Sequence, residues 1–422
     1  MNRLEILDLE AKGCFDFFWN EASTSEEGFG LIKDNTANLE SHKEVASVAS
    51  VGFGLSAIIV GIERGWITRE QGEERVLGTL KTLYNNVDQT EGFFNHFVNM
   101  NTGKRAWNSE VSVIDTAIAI MGALTCAEYF KGEIEEYFEK IYSRINWEFY
   151  RNPKTNQFYM GYSQEDGPFG AWDMMAEQFM MYFLGVASPT NPISPSMFYD
   201  FRRDVGSYGG DEFIYTPVGS IFPYQFSHAW IDFRNTKDKL GVDWFDNSIK
   251  ASLANRQYCI DNPKKLKSFN KNAWGMTACE TPHGYDGSQG TLPSAKDGKA
   301  HTADGTVPPC GAIGSIVFTP EESIDAMNYY YKTFGDKLWG KYGFKDAYNL
   351  DVTPEWFCKN EIGIDKGISI LMIENYRSGL IWNLTMQNKY MKKAMELLEF
   401  TRTDVEANVK EKSIEDKVAE TV

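Results

Sequence analysis

VASVASVGFGLSAIIVGIERG, Val45 to Gly65, is apolar nearly all round when wound as a helix. The segment after it, TREQGEERVLGTLKTLYNN from Thr68 to Asn86, carries a single apolar stripe and opens with a capping box of Thr68 and Gln71. A helix apolar on all sides must be enclosed, and a helix apolar on one side lies against something else, so the pair predicts an inner helix wrapped by an outer one. The same order recurs with Val111 to Tyr129 apolar, Ile134 to Tyr150 amphipathic and Ala171 to Ala187 apolar, while Arg3 to Glu21 opens the chain as an amphipathic helix. Later starts are marked by Thr319, Pro320 and Glu322 and again by Thr353, Pro354 and Glu355, and Gly367 to Tyr376 and Leu380 to Phe400 close the series. About twelve helices in two alternating layers describe an all-α fold, an (α/α)6 toroid barrel, although no sequence repeat relates the pairs. Val45 to Ile62 lacks charge over a span-like length, but its scattered Ser and Gly and missing aliphatic block fit a buried helix better than a membrane span.

Two segments, Phe201 to Phe226 and Ser268 to Gly311, are too long and too rich in Gly, Tyr and Pro to be plain connectors, and are expected to line a cleft. Residues 1–400 are expected to form one catalytic domain, and the charged tail 401–422 to be disordered. The 422 residues include 11 Trp, 21 Tyr and 28 Phe, enough for a large core with rings left over for a groove. A formal net charge of -17 disfavours nucleic acid and anionic membrane as partners, since both depend on Lys and Arg meeting phosphate. The six cysteines, Cys14, Cys126, Cys259, Cys279, Cys310 and Cys358, form no C-x-x-C pair, which predicts neither a disulfide framework nor a metal or other cofactor site. Met1 to Gly13 is acidic and lacks a signal-peptide pattern, giving an expected cytoplasmic location unless a leader has been trimmed.

The polar residues in unusual surroundings are mostly carboxylates: Glu110, Asp115, Glu177, Asp232, Glu280, Asp286, Asp304 and Asp365. Such a set suits glycoside cleavage, which needs one carboxyl held protonated to release the leaving oxygen and one ionised to activate water or attack the sugar. Glu177, flanked by Met174, Met175, Phe179, Met180 and Met181, is the candidate for the raised pKa, against the alternative of a glutamate salt-bridged inside the barrel. Glu110, one residue before an apolar helix, is a candidate ionised partner or an ordinary capping acid. Asp115 is read as structural or as orienting a neighbour. QFSHAWIDFR, Gln225 to Arg234, places His228 with Asp232 and Trp230 with Arg234 at helical spacing, a stacking and hydrogen-bonding wall suited to sugar.

Eight stretches in order resemble the glycoamylase-like domain of glycoside hydrolase family 144, the endo-β-1,2-glucanases, and its relative in cyclic β-1,2-glucan synthases. They are SVASVGFGL (Ser47 to Leu55), VIDTA (Val113 to Ala117), SPTNP (Ser188 to Pro192), QFSHAWIDFR, WGMTACETPHGY (Trp274 to Tyr285), DGTVPP (Asp304 to Pro309), YGFKDAYN (Tyr342 to Asn349) and GIDKG (Gly363 to Gly367). The resemblance spans roughly Leu9 to Phe400. It implies the (α/α)6 barrel and inverting hydrolysis of β-1,2-glucan, with Glu177 as the essential acid on the helix before SPT and Glu110 as a second acidic position. It also implies that His228, Trp230, Arg234, Trp274, Glu280, Tyr285 and Asp304 bind glucose units, with Asp115 and Asp232 supporting them. Lys104 and Arg105 stand in the loop Asn101 to Ser109, where that resemblance leads to acidic residues. Transglycosylation or phosphorolysis on the same barrel, and non-catalytic glycan binding, are the competing functions. A prenyl or terpene cyclase would need an aspartate-rich cluster, and none is found in the sequence.

Overall fold

The apolar runs do become buried helices, but each of the first two starts late because a short strand precedes it. In the computed structural model, which describes residues 3–262 and 266–403, Val45–Ser47 pairs antiparallel with Phe97–Asn99 and Val111–Ser112 pairs with Gly161–Ser163. The α-helices of six residues or more are α1 (Glu5–Asn20), α2 (Val48–Glu63), α3 (Arg69–Asn85), α4 (Val113–Phe130), α5 (Gly132–Ser143), α6 (Phe179–Ala187), α7 (Trp244–Asp261), α8 (Pro309–Gly314), α9 (Pro320–Leu338), α10 (Gly363–Arg377), α11 (Leu380–Gln387) and α12 (Lys389–Leu397). Helices α2, α4, α6, α8 and α10 are buried along most of their length. α2 packs on α4 and α10, and α10 on α8; outside them, α1 leans on α2 and α10, α3 on α5, α9 on α8 and α12 on α6. The result is a helical toroid with a continuous apolar core from Ile6 to Leu398.

At the α2–α4 crossing the helices touch through backbone. A Cβ on Gly52 would lie 2.3 Å from the Ile118 carbonyl oxygen, and one on Gly122 would lie 2.1 Å from that of Gly52. α4 is long and apolar enough to cross a membrane, yet 78% of it is buried inside the protein. The Thr68/Gln71 capping box forms as read, and all six cysteines are free and buried.

Four expectations are corrected. Ala171 to Gln178 is not helical, because its backbone donors are taken by other loops: Trp172 N–H donates to Phe158 O and Met175 N–H to Arg202 O. α5 stops at Ser143, and Trp147–Tyr150 is a separate 3-10 turn capped by Asn146. Thr353 to Glu355 starts no helix; the aromatic pair Trp356–Phe357 instead joins Tyr348–Asn349 as a strand. Leu380 to Phe400 divides at Asn388, whose extended backbone and side-chain cap on Tyr390 N–H begin a new helix. Strands, scarcely visible in the sequence, are two or three residues long among the described residues and sit in the loops. The tail boundary also moves: Thr401–Arg402 pairs with Thr236–Lys237, while 404–422 lie outside the described residues.

Candidate active site

The N-terminal ends of the inner helices point to one end of the toroid. Ser47 caps α2 by accepting from Ser50 N–H, and Ser112 caps α4 by accepting from Asp115 N–H. Asp365 sits in the first turn of α10, Cys310 in α8, and Glu177 just before α6. The partial positive charge of helix N-termini favours carboxylates there, and this is where they collect.

Glu177 keeps part of its surface open while protein encloses its carboxyl. Burial raises its pKa to about 7; its own backbone N–H opposes this and the charge of Asp115 adds to it. Its backbone is fixed from the neighbouring layer: Ser227 Oγ donates to Glu177 O at 2.7 Å and accepts from Met180 N–H at 3.2 Å. No salt bridge to Glu177 is found among the described residues, so the salt-bridged alternative lacks its partner.

Glu110 is not a helix cap, since Ser112 fills that position. Its Oε1 lies 2.9 Å from His96 Nδ1, and the other ring nitrogen of His96 faces Asp115 Oδ1 at 3.6 Å. Burial would lower the His96 pKa, but Asp115, Glu110 and Asp34 outweigh it and hold the imidazolium up to about 9. Burial likewise pushes Glu110 up, yet the His96 hydrogen bond and charge win and keep it below the ordinary range. Near neutral pH Glu177 is therefore poised between its protonated and ionised forms, while Glu110 is ionised.

On the other wall, Asp346 and Asp365 are buried beside Cys310, with three ligand atoms within 4.8 Å of one another. Burial raises both carboxyls, and the Asp365 charge raises Asp346 further, so the pair is held as neighbours sharing a proton. Asp346 Oδ2 accepts the Glu280 N–H at 2.6 Å. These three groups are the donor set a metal could use among the described residues, and binding one would displace their protons. Asp365 also lines a pocket with Phe222, Gln225, Phe226, Tyr285 and Cys310, so the two long segments do border the cleft.

Of the expected sugar-binding residues, the structure brings Glu280 and Tyr285 to this cleft. Tyr285 is 55% exposed at its rim, and burial raises the Glu280 pKa, with His42 and Asp34 near enough to act on it. Asp304 lies near enough to act on the Cys279 thiol and is spent on its own turn, accepting from Thr306 N–H. The rest of the wall is corrected. His228 is buried, held down to about 3 by burial, with Nε2 on Ser248 Oγ. Trp230 is core, packed on Phe53 and donating to Ser56 Oγ. Asp232 pairs with Arg234, which stacks on Trp382 beyond the C-terminal end of α10, away from the cleft. Trp274 is fully buried and exchanges backbone hydrogen bonds with the Tyr330 hydroxyl. Here QFSHAW contributes Gln225 and Ser227, which brace the cleft, rather than its larger side chains. The sequence reading missed His96, Asp34 and Asp346. A histidine set among rings in FFNHF and an aspartate inside YGFKDAYN were the available signals.

A helical toroid with an acidic cleft at the N-terminal ends of its buried helices is the class that fold and site define. The glycoamylase family, described as "Putative glucoamylase", matches residues 170–389, and the chain belongs to it. A solved Bacteroides uniformis structure described as a putative glucoamylase is similar with a TM-score of 0.85 and 32% identity, covering 95% of this chain and 98% of that one. The endo-beta-1,2-glucanase of Chitinophaga pinensis, solved with sophorotriose and glucose, gives a TM-score of 0.83 at 28% identity, over 95% and 99% of the two chains. An exo beta-1,2-glucooligosaccharide sophorohydrolase (non-reducing end) of Parabacteroides distasonis is 28% identical over 437 residues, covering 94% of this chain. The chain spans 58% of the length of that curated relative.

Proposed function

We propose that this protein is a glycoside hydrolase that cleaves β-1,2-linked glucan or its oligosaccharides with inversion, on an (α/α)6 barrel. The observation that carries this reading is a carboxyl, Glu177, whose pKa burial raises to about 7, together with an acid, Glu110, that His96 keeps ionised. The relatives named above for β-1,2-glucan chemistry support the substrate class. Glu177 donates its proton to the glycosidic oxygen as the C1–O bond breaks, and Glu110, kept ionised by His96, takes a proton from the water that attacks C1. A second reading puts the base at Asp365, which reaches the pocket and shares a single proton with Asp346.

Purified protein should release reducing sugar from linear β-1,2-glucan or its oligosaccharides, with product of inverted anomeric configuration by NMR. No release across both substrates overturns the proposal. Azide should rescue an alanine variant at the base, so rescue of Glu110→Ala or of Asp365→Ala decides between the two readings. Product sizes larger than the substrate indicate transglycosylation, phosphate-dependent rates indicate phosphorolysis, and binding without turnover indicates a glycan-binding protein.

A further inference from the structure

Arg105, the basic residue in the loop where acidic ones were expected, has a task. Its side chain is 14% exposed. Nε donates to Ser109 O at 2.6 Å and Nη2 to Asn108 O at 2.7 Å, while Nη1 and Nη2 form a fork on Glu165 at 2.6 and 3.0 Å. This clamp ties the loop to the hairpin of Gly161–Ser163 and Gly167–Phe169. Held between Arg105 and Ser109 are Trp107 and Asn108, both left-handed, at φ 53° and 51°. A bulky residue in that region is rare and costly, and it persists where the surroundings impose it.

What the clamp imposes is an exposed ring. Trp107 is 44% exposed even though its indole N–H is spent on Ser41 O at 3.0 Å. Its ring centroid lies 4.8 Å from that of His42 and 5.0 Å from that of Phe97, both inclined to it. Phe97 in turn stacks on His96 at 3.8 Å, and His96 holds Glu110. A continuous file of rings thus runs from Trp107 to the ionised acid, with Trp107 held by its two ring neighbours and its hydrogen bond and left partly exposed. A fixed indole with its polar atom satisfied presents a flat apolar surface whose ordering cost has been met within the fold.

We propose that Trp107, presented by the Arg105 clamp, is a stacking platform for a glucosyl unit remote from the bond being cleaved, and that it sets a preference for chains long enough to reach it. This rests on the glycan reading given above. In a series of linear β-1,2-gluco-oligosaccharides, Trp107→Ala should raise KM about tenfold for the longer members, equivalent to about 1.4 kcal/mol. kcat should change less than KM, Trp107→Phe should recover most of the loss, and the melting temperature should hold. Glu165→Gln, which loosens the clamp without touching the ring, should shift KM the same way by less. KM within twofold of wild type at every chain length for Trp107→Ala overturns the platform. Calorimetric binding of β-1,2-, β-1,3- and β-1,4-linked gluco-oligosaccharides to the Glu177→Gln protein separates the two proposals. If any of these binds and added Trp107→Ala weakens it, the platform stands even where β-1,2 turnover is absent. If binding is unchanged by Trp107→Ala, or if no saccharide binds, the platform falls.

Discussion

Asp365 and Lys366 are neighbours on α10, both buried, and they carry opposite lessons. Lys366 Nζ lies 2.9 Å from Glu10 Oε1 and also donates to Phe344 O, while Glu10 Oε2 accepts Phe344 N–H. Burial pushes the Lys366 pKa down, but the Glu10 charge more than offsets it, so the ammonium stays charged. Asp365 is hydrogen-bonded to another acid, Asp346, and burial pushes both up even though the Lys366 charge pulls Asp365 down. A buried charge with a countercharge is architecture, whereas a buried acid without one is left to titrate. Glu177 belongs to the second kind, with no cation bonded to its carboxyl among the described residues.

The largest effect should come from Glu177→Gln. If the carboxyl is the acid, kcat on β-1,2-gluco-oligosaccharides should fall about 10³-fold, roughly 4 kcal/mol of barrier. The same variant should gain stability in alkali. An acid whose folded pKa is raised from 4.5 to about 7 favours the fold at low pH and loses that contribution as pH climbs through about 7. Removing it should therefore stabilise the protein by about 2–3 kcal/mol above that pH, read by urea unfolding. Full activity in this variant would place Glu177 with the architectural acids.

Lys366→Met should leave activity per folded molecule largely intact but cost about 3–5 kcal/mol, because it strands the Glu10 carboxylate in the core. The double variant Glu10→Leu with Lys366→Met should recover much of that loss, since an apolar pair needs no countercharge. Equal losses in the single and double variants would show that packing, not charge pairing, is what Lys366 supplies.

Helical layering was legible because it depends on period alone: Val48–Glu63 and Val113–Phe130 are buried nearly all round, as their composition requires. Glu177 was legible because the apolar residues around it make a carboxyl costly wherever the backbone goes, so the reading survived the loss of the predicted helix around it. The partner of Glu110 was not. His96 comes from a separate strand-bearing loop, and only tertiary pairing brings it there. The sugar wall failed for a related reason. Trp230 and Arg234 share a face only if a helix continues, but the helical turn ends at Ala229 and the chain passes through the core to the far end.

His96→Gln should move the pH limits more modestly. Without the imidazolium, Glu110 loses the interaction that keeps it below its ordinary range, so the acid limb of kcat/KM should shift up if Glu110 is the base. The alkaline limb should stay near pH 7 if Glu177 is the acid. The stability contributed by a folded pKa of about 9 is fully present below 6.5 and fades as pH rises through 9, whereas that of Glu110 is lost as pH falls through its lowered pKa. The variant should be weaker by about 1–2 kcal/mol near pH 6, a figure reduced for the partly exposed pair.

Asp346→Asn is expected to be the smallest change and to differ from Lys366→Met in its pH dependence. Below pH 4 the wild-type pair is protonated and a carboxamide replaces a carboxylic acid of the same shape, so stability should be nearly unchanged. As pH rises, wild type must force a second negative charge into a buried site whose pKa values are raised, and stability declines through that range. The variant removes that second ionisation, so its unfolding free energy should fall less steeply and exceed wild type by about 1 kcal/mol at pH 8. Lys366→Met, by contrast, should be weaker at neutral and alkaline pH alike, because it leaves Glu10 buried without its countercharge. Parallel urea curves for Asp346→Asn and wild type from pH 4 to 8 would mean that Asp346 is satisfied by the Glu280 N–H alone, and the contrast between the two neighbours on α10 would then be one of geometry rather than charge.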